Sequence, residues 1–165
     1  MTSFEDLYNT YFKRVYAYIF SRVRNHATAE DLCAVAWKNA YEHWASFDEQ
    51  KGEFTQWIFT IARNQTNMYW RLYWVKNIFS LTEEAAPVYA GDSPLKNLEQ
   101  DTFRLDLTNA LGKLSARERD ILALKFYSGL NNRQIAQVSQ LSESNVGTII
   151  NRAVTKMRKG MKNYD

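Results

Sequence analysis

Apolar residues return every three or four positions through most of this chain, and the breaks in that rhythm divide it. Phe4, Leu7, Tyr8, Tyr11, Phe12, Val15, Ile19 and Val23 share one face of a helix, with Ser3 placed to cap it. A second helix is predicted to open at Thr28, whose hydroxyl can accept from the amide three residues on. Ala29, Glu30 and Asp31 then suit the positive end of its dipole. Its apolar stripe reads Leu32, Val35, Ala36, Ala40 and Trp44. The polar run SFDEQKGE (46–53) interrupts, and a third helix from about Phe54 to Val75 carries Trp57, Ile58, Ile61, Ala62 and Met68. Three helices make a first domain, residues 1–76.

Periodicity then fades. Both prolines, Pro87 and Pro94, lie with Gly91 between residues 83 and 101. Residues 77–101 carry five acidic residues (Glu83, Glu84, Asp92, Glu99, Asp101) against Lys96, a net −4. This composition disfavours a packed helix and predicts a flexible acidic linker over 77–101. Helical spacing resumes with Leu105, Leu107, Leu111 and Leu114. Ser115 caps the next helix with Glu118 as capping-box partner, Ile121, Leu122, Leu124 and Phe126 lie inside it, and Gly129 stops it. Asn131 or Asn132 caps a short helix through Ile135, Ala136 and Val138. Ser142 caps a longer one through Val146, Ile149, Ile150, Ala153 and Met157. Residues 102–165 therefore form a second, four-helix domain, and the fold class is all-α.

Composition narrows the function. With 45% hydrophobic and 15% aromatic residues the chain can build packed cores, and only two prolines and six glycines suit long helices. One cysteine, Cys33, forms no internal disulfide and reads as a small buried hydrophobe. No stretch approaches the roughly 18 apolar residues of a membrane span, and no signal-peptide pattern opens the sequence. A soluble, reduced, cytoplasmic protein without membrane insertion is expected. The two histidines, His26 and His43, lie in different segments. No phosphate loop, metal spacing or nucleophile motif accompanies them, so neither catalysis, a metal nor a cofactor is expected.

A short helix, a tight turn and a longer helix over NNRQIAQVSQLSESNVGTIINRA (131–153) fit a helix-turn-helix, whose second helix enters the major groove. Ser144, Asn145, Thr148 and Asn151 fall near one face of that helix and can bond base edges or phosphates. Arg152 and Lys156 extend it toward the backbone. Residues 151–165 hold five basic side chains against Asp165, a net +4. A helix-turn-helix regulator acting alone and a polymerase-binding interaction module both remain open on these features.

Two blocks across a linker point to a third reading, with those two as its alternatives. The segment LSARERDILALKFYSGLNNRQIAQVSQLSESNVGTIINRAVTKMRKGM (114–161) resembles the promoter-binding domain of bacterial extracytoplasmic-function (ECF, group 4) sigma factors. ATAEDLCAVAWKNAYEHW (27–44) followed by GEFTQWIFTIARNQTNMYWR (52–71) is similar to that family's first domain. The resemblance implies a transcription initiation factor that binds core RNA polymerase, through the largest-subunit clamp and the flap of the second-largest subunit, and directs it to promoter DNA. An anti-sigma factor is implied as a further partner.

Residue by residue, the resemblance places minus-ten contacts at Phe47, Asp48, Lys51, Arg63, Asn64, Asn67 and Arg71. It places minus-thirty-five contacts at Arg133, Ser142, Ser144, Asn145, Thr148, Asn151, Arg152 and Lys156, and polymerase contacts at Glu30, Asp31, Lys38, Asn39 and Glu42. Capture of a flipped base asks for a polar loop, here Ser46–Gly52, beside an aromatic, basic helix. Phe54 and Trp57 are read as core, while Tyr69, Trp70, Tyr73 and Trp74 stay open between packing and stacking. The chain departs from the family at Gln140, where a turn glycine is usual, at Gly147 and Ile149, where basic residues are usual, and at Ala34 and Val35.

Overall fold

A computed structural model describes residues 2–79 and 98–161, and within them every regular element is helical. Helix α1 (Phe4–Val23) opens with a capping box. The Ser3 hydroxyl accepts from the Asp6 amide at 3.1 Å, and the Asp6 carboxylate accepts from the Ser3 amide at 3.3 Å. Helix α2 (His26–Glu42) begins two residues before the expected start. Asn25 caps it by accepting from the Thr28 amide at 3.0 Å, so Thr28 lies inside the first turn and is not the cap. Asn is at least as good an N-cap as Thr, and it comes first in the chain.

A single 3₁₀ turn, Trp44–Ser46, and a polar loop lead to α3 (Phe54–Phe79). This helix outruns its expected end at Val75, because no glycine or proline stands between Gly52 and Pro87 to stop it.

Helices α1, α2 and α3 pack on one another around Val15, Tyr18, Ile19, Cys33, Ala36, Ala40, Ile58, Phe59 and Ala62. The apolar stripe of α2 is turned from the expected one. Ala29, Cys33, Ala36, Trp37 and Ala40 are buried, while Val35 is 42% exposed. Small side chains let α2 approach its neighbours closely, and Val35, one step round, faces out. On α3, Phe59 takes the core place and Met68 is exposed. Burial raises the Cys33 thiol to about 11, which leaves it the inert hydrophobe the sequence suggests.

The second domain comprises α4 (Leu98–Gly112), α5 (Ala116–Ala123), a π-helical turn (Leu124–Ser128), α6 (Asn132–Ser139) and α7 (Glu143–Gly160). Ser115 with Glu118 and Asn131 with Gln134 form the two capping boxes, and Ser142 caps α7. Ile121, Leu124, Leu130, Ile135, Val146 and Ala153 build the core. Phe126, expected inside, is 79% exposed. The wider π turn carries an extra residue and swings the following side chain out of the stripe. Leu105 also faces out. Gly160 allows a close crossing of α7 over α4, since a Cβ there would sit 2.9 Å from that of Ala110.

Part of the expected linker, residues 77–101, falls on described helix. Residues 77–79 complete α3 and 98–101 begin α4, whereas Glu83, Glu84, Pro87, Gly91, Asp92 and Pro94 lie outside the described residues, as do Lys162 and Asp165 of the basic tail. The two domains touch: α1 lies against α5 and the π turn, and α3 lies against α6.

Candidate nucleic-acid interface

The helix-turn-helix is formed by α6, a tight turn and α7. The turn needs one left-handed residue, and Gln140 supplies it at φ 59°, so the backbone keeps the shape a glycine would give at some conformational cost. Ser142 then fixes the start of α7 by accepting from the Asn145 amide at 3.1 Å. Its side chain is committed to the cap. Ser144, Asn145, Thr148, Asn151 and Arg152 are exposed along one face, opposite buried Val146, Ile149 and Ala153. The Thr148 hydroxyl donates back to the Ser144 carbonyl, which orients it and leaves its lone pairs outward. Arg133 is exposed at the start of α6.

Lys156, expected on phosphate, has a side chain 47% exposed. It sits at the flank of α7 and donates to Glu118 Oε1 at 2.7 Å, tying α7 to the capping box of α5. The Lys156 ammonium, with the Ser115 hydrogen bonds, holds the Glu118 carboxyl below the usual carboxylate range. Ile149 is 6% exposed, so in this chain that position belongs to the core and no outward charge is missing there. Gly147 is half-buried, facing Asn132 on α6.

In the first domain the polar loop and the start of α3 enclose a cleft of about 310 Å³, lined by Phe47, Asp48, Lys51, Gln56, Trp57 and Thr60 among others. Asp48 caps the loop turn by accepting from the Gln50 amide, and the exposed Lys51 lies 3.9 Å from its carboxylate. Phe47 is not a free stacking plate. It lies nearly parallel to Trp44 at 5.4 Å and meets Phe54 edge-on at 5.7 Å, so it forms a fixed wall. Phe54 is buried as expected, while Trp57 both packs on this cluster and lines the cleft. Sequence reading missed the lining role of Gln56, Trp57 and Thr60. Their spacing at i, i+1 and i+4 from the first turn of α3 was the available signal.

Further along α3 the expected DNA residues divide. Asn64 and Arg71 are exposed. Arg63 donates to Asp120 of the second domain at 2.9 Å, and Asn67 accepts from Arg22 at 2.8 Å. Tyr69, Trp70, Tyr73 and Trp74 form a chain of ring contacts along the helix, and Trp74 is 60% exposed at its end.

On α2, Glu30, Asp31, Lys38 and Glu42 are exposed and Asn39 is half-buried. Lys38 and Glu42 form a loose exposed pair at 3.9 Å. Between them stand Val35 and Tyr41, large hydrophobics left in water. The Tyr41 ring meets Phe4 of α1 edge-on at 5.4 Å.

Among the described residues no helix is long and apolar enough to cross a membrane, and no group of three or more His, Cys, Asp or Glu side chains is placed to hold a metal ion.

One helical domain thus presents a helix-turn-helix, and the other a polar cleft beside an aromatic, basic helix. Residues 7–74 match the family model for Sigma-70 region 2, and residues 104–157 match that for Sigma-70, region 4. The RNA polymerase sigma factor YlaC of Bacillus subtilis is 30% identical over 161 residues, covering 96% of this chain and 92% of that protein. The ECF RNA polymerase sigma factor BldN of Streptomyces coelicolor is 27% identical over 157 residues, which is 95% of this chain but 60% of BldN. In fold, the chain is similar to the sigma factor RpoE of Bartonella quintana, solved in complex with the anti-sigma factor NepR. The TM-score is 0.74 over 98% of each chain at 22% identity. The chain belongs to the ECF RNA polymerase sigma factors, transcription initiation factors that bind core RNA polymerase and direct it to specific promoters.

Proposed function

We propose that the two domains divide promoter recognition between α3 and α7. Ser144, Asn145, Thr148 and Asn151 meet base edges of a minus-thirty-five element, with Arg152 and Arg133 on flanking phosphates. Asn64, Asn67, Arg63 and Arg71 face the minus-ten duplex. The cleft walled by Phe47, Asp48, Lys51 and Trp57 takes a base flipped from the non-template strand. Stacking and capture are worth roughly 1–3 kcal/mol per base, enough to offset local unpairing.

The exposed face of α2, with Glu30, Asp31, Lys38 and Glu42 around Val35 and Tyr41, docks on the clamp of the largest polymerase subunit, and the second domain meets the flap of the second-largest. An anti-sigma factor holds the protein until it is needed, as NepR is seen bound to RpoE. The protein works in the cytoplasm and carries out no catalysis of its own. The observation that carries this reading is the cleft beside α3 in one domain, matched by an open polar recognition helix in the other.

The test mixes the purified chain with core polymerase and a genomic fragment library and maps transcript ends. Shared sequence at both elements upstream of the new starts is expected. Footprints on a site without polymerase, and no new starts, would instead make the chain a helix-turn-helix regulator.

A further inference from the structure

A second cavity, of about 280 Å³, is lined by side chains of α1, α4, α5, the π turn and α7, and by none of the residues assigned above to DNA. Small-molecule sites begin at about 300 Å³, so the space suits one small ligand. Its walls are chiefly apolar, from Phe20, Leu111, Leu122, Ala123 and Met157. Phe126, the ring that the π turn leaves without a core place, lines it as well. The Ser21 hydroxyl is committed, donating to the Tyr18 carbonyl at 2.6 Å. Among the described residues no acidic side chain lines the cavity, but two guanidinium groups do: Arg24, at the left-handed end of α1, and Arg119 on α5.

Arg119 stands apart from the other half-buried arginines nearby. Arg22 and Arg63 lie 3.6 and 2.9 Å from Asp120, whose carboxylate also accepts from the Tyr18 hydroxyl at 2.6 Å. Arg14 donates to the carbonyls of Tyr127, at 2.9 Å, and Ser128. Arg119 is half-buried too, yet among the described residues its guanidinium has neither a carboxylate nor a hydrogen-bond partner. A guanidinium keeps its proton, so partial burial without a partner is unfavourable. That burial, with the charge of Arg22 nearby, pulls the Arg119 pKa down, as befits a cation short of a counter-ion.

We propose that this cavity is a binding site for a small aliphatic carboxylate, its anion on Arg119 with Arg24 beside it and its chain along Phe20, Leu122, Phe126 and Met157. The walls select the chemistry. An apolar cavity gains from each methylene it takes out of water, and a planar guanidinium meets a carboxylate through two parallel hydrogen bonds. A phosphate head would bring more hydration to strip than so apolar a space can replace, and a wholly apolar ligand would leave Arg119 unpaired. The site stands on the cavity and its arginines, independently of how α3 and α7 divide promoter DNA. Because it binds the folded chain, its ligand also raises the unfolding temperature.

The test titrates the full chain calorimetrically with straight-chain carboxylates from butanoate to decanoate, each below its micelle-forming concentration, and with primary alcohols of equal length. Carboxylate affinity should rise about fourfold per added methylene until the cavity is full, then level off. Alcohols should bind more weakly at every length. In methyl NMR with octanoate the Met157 resonance should shift and that of Met68, exposed on α3, should not. Arg119→Gln should weaken the carboxylates about tenfold, the share of a charged hydrogen bond, and change the alcohols little. Circular dichroism checks that this variant is folded; if it is not, the chain-length series, the alcohols and the methyl shifts of the wild-type chain decide alone. No binding by any carboxylate, an affinity blind to chain length, alcohols binding as tightly as acids, a Met157 methyl that stays still, or a folded Arg119→Gln chain with undiminished carboxylate affinity would each overturn the proposal.

Discussion

Helices α3 and α7 both carry polar faces suited to DNA, but the fold treats them oppositely. On α7 the face from Ser144 to Arg152 is open to water; Ser142 is committed at the cap and Lys156 at the flank, and the Thr148 hydroxyl turns back to the Ser144 carbonyl. On α3 the comparable face is partly consumed: Arg63 pairs with Asp120, Asn67 with Arg22 and Gln56 with Gln137, leaving Asn64 and Arg71 at the edge. The difference is one of availability: the face of α7 is presented to water, whereas part of the face of α3 is held in hydrogen bonds to α1, α5 and α6. It also assigns different measurements to the two helices.

The largest effect should come from Asn145→Ala, which removes a base-edge donor and acceptor at the start of the recognition helix. It should cost about 1–3 kcal/mol on the mapped promoter and relax preference at one base pair, with little change on a scrambled sequence. Equal losses on both sequences in a binding titration would remove Asn145 from the reading role. Gln140→Gly acts on the same domain through its backbone. Relieving a left-handed non-glycine residue should raise stability by about 1 kcal/mol in thermal unfolding, with the same promoter preference.

Arg152→Ala should weaken binding to all sequences alike and flatten the salt dependence of log K by about 0.9, the share of one phosphate contact. An unaltered slope with changed specificity would reverse the roles given to Arg152 and Asn145. The smallest effect belongs to Lys156→Ala, whose partner Glu118 is held below its usual pKa in the folded state. That pair stabilises the domain above the unfolded glutamate value of about 4.3, and the gain is lost as the pH falls through the lower folded value. The variant should therefore be less stable by under about 1 kcal/mol at pH 7, with the deficit disappearing in acid. An equal deficit at both pH values would mean Lys156 acts by packing alone.

Local chemistry made most of the architecture legible. Ser3, Ser115, Asn131 and Ser142 are caps that act within three residues, and Gly129 marks a left-handed turn, while Gln140 was singled out only through the resemblance. Where local rules competed, reading failed by small steps: Asn25 took the cap expected of Thr28, and the π turn threw Phe126 outward. The stripe of α2 was misjudged at its edges: Val35 was placed inside and faces out, while Ala29 and Trp37, left out of the stripe, are buried. The candidate sites were legible as residue types on faces. Their engagement was not, since Asp120 lies 102 residues from Tyr18 and 57 from Arg63, separations that no periodicity reports.

The central claim, that α3 opens DNA while α7 reads it, meets its most direct test in permanganate footprinting of the polymerase complex on the mapped promoter. Wild-type protein should expose thymines in the minus-ten element. Asn64→Ala combined with Arg71→Ala should suppress that reactivity while the complex still occupies the promoter through the minus-thirty-five element. Unchanged thymine reactivity in the double variant would contradict the account.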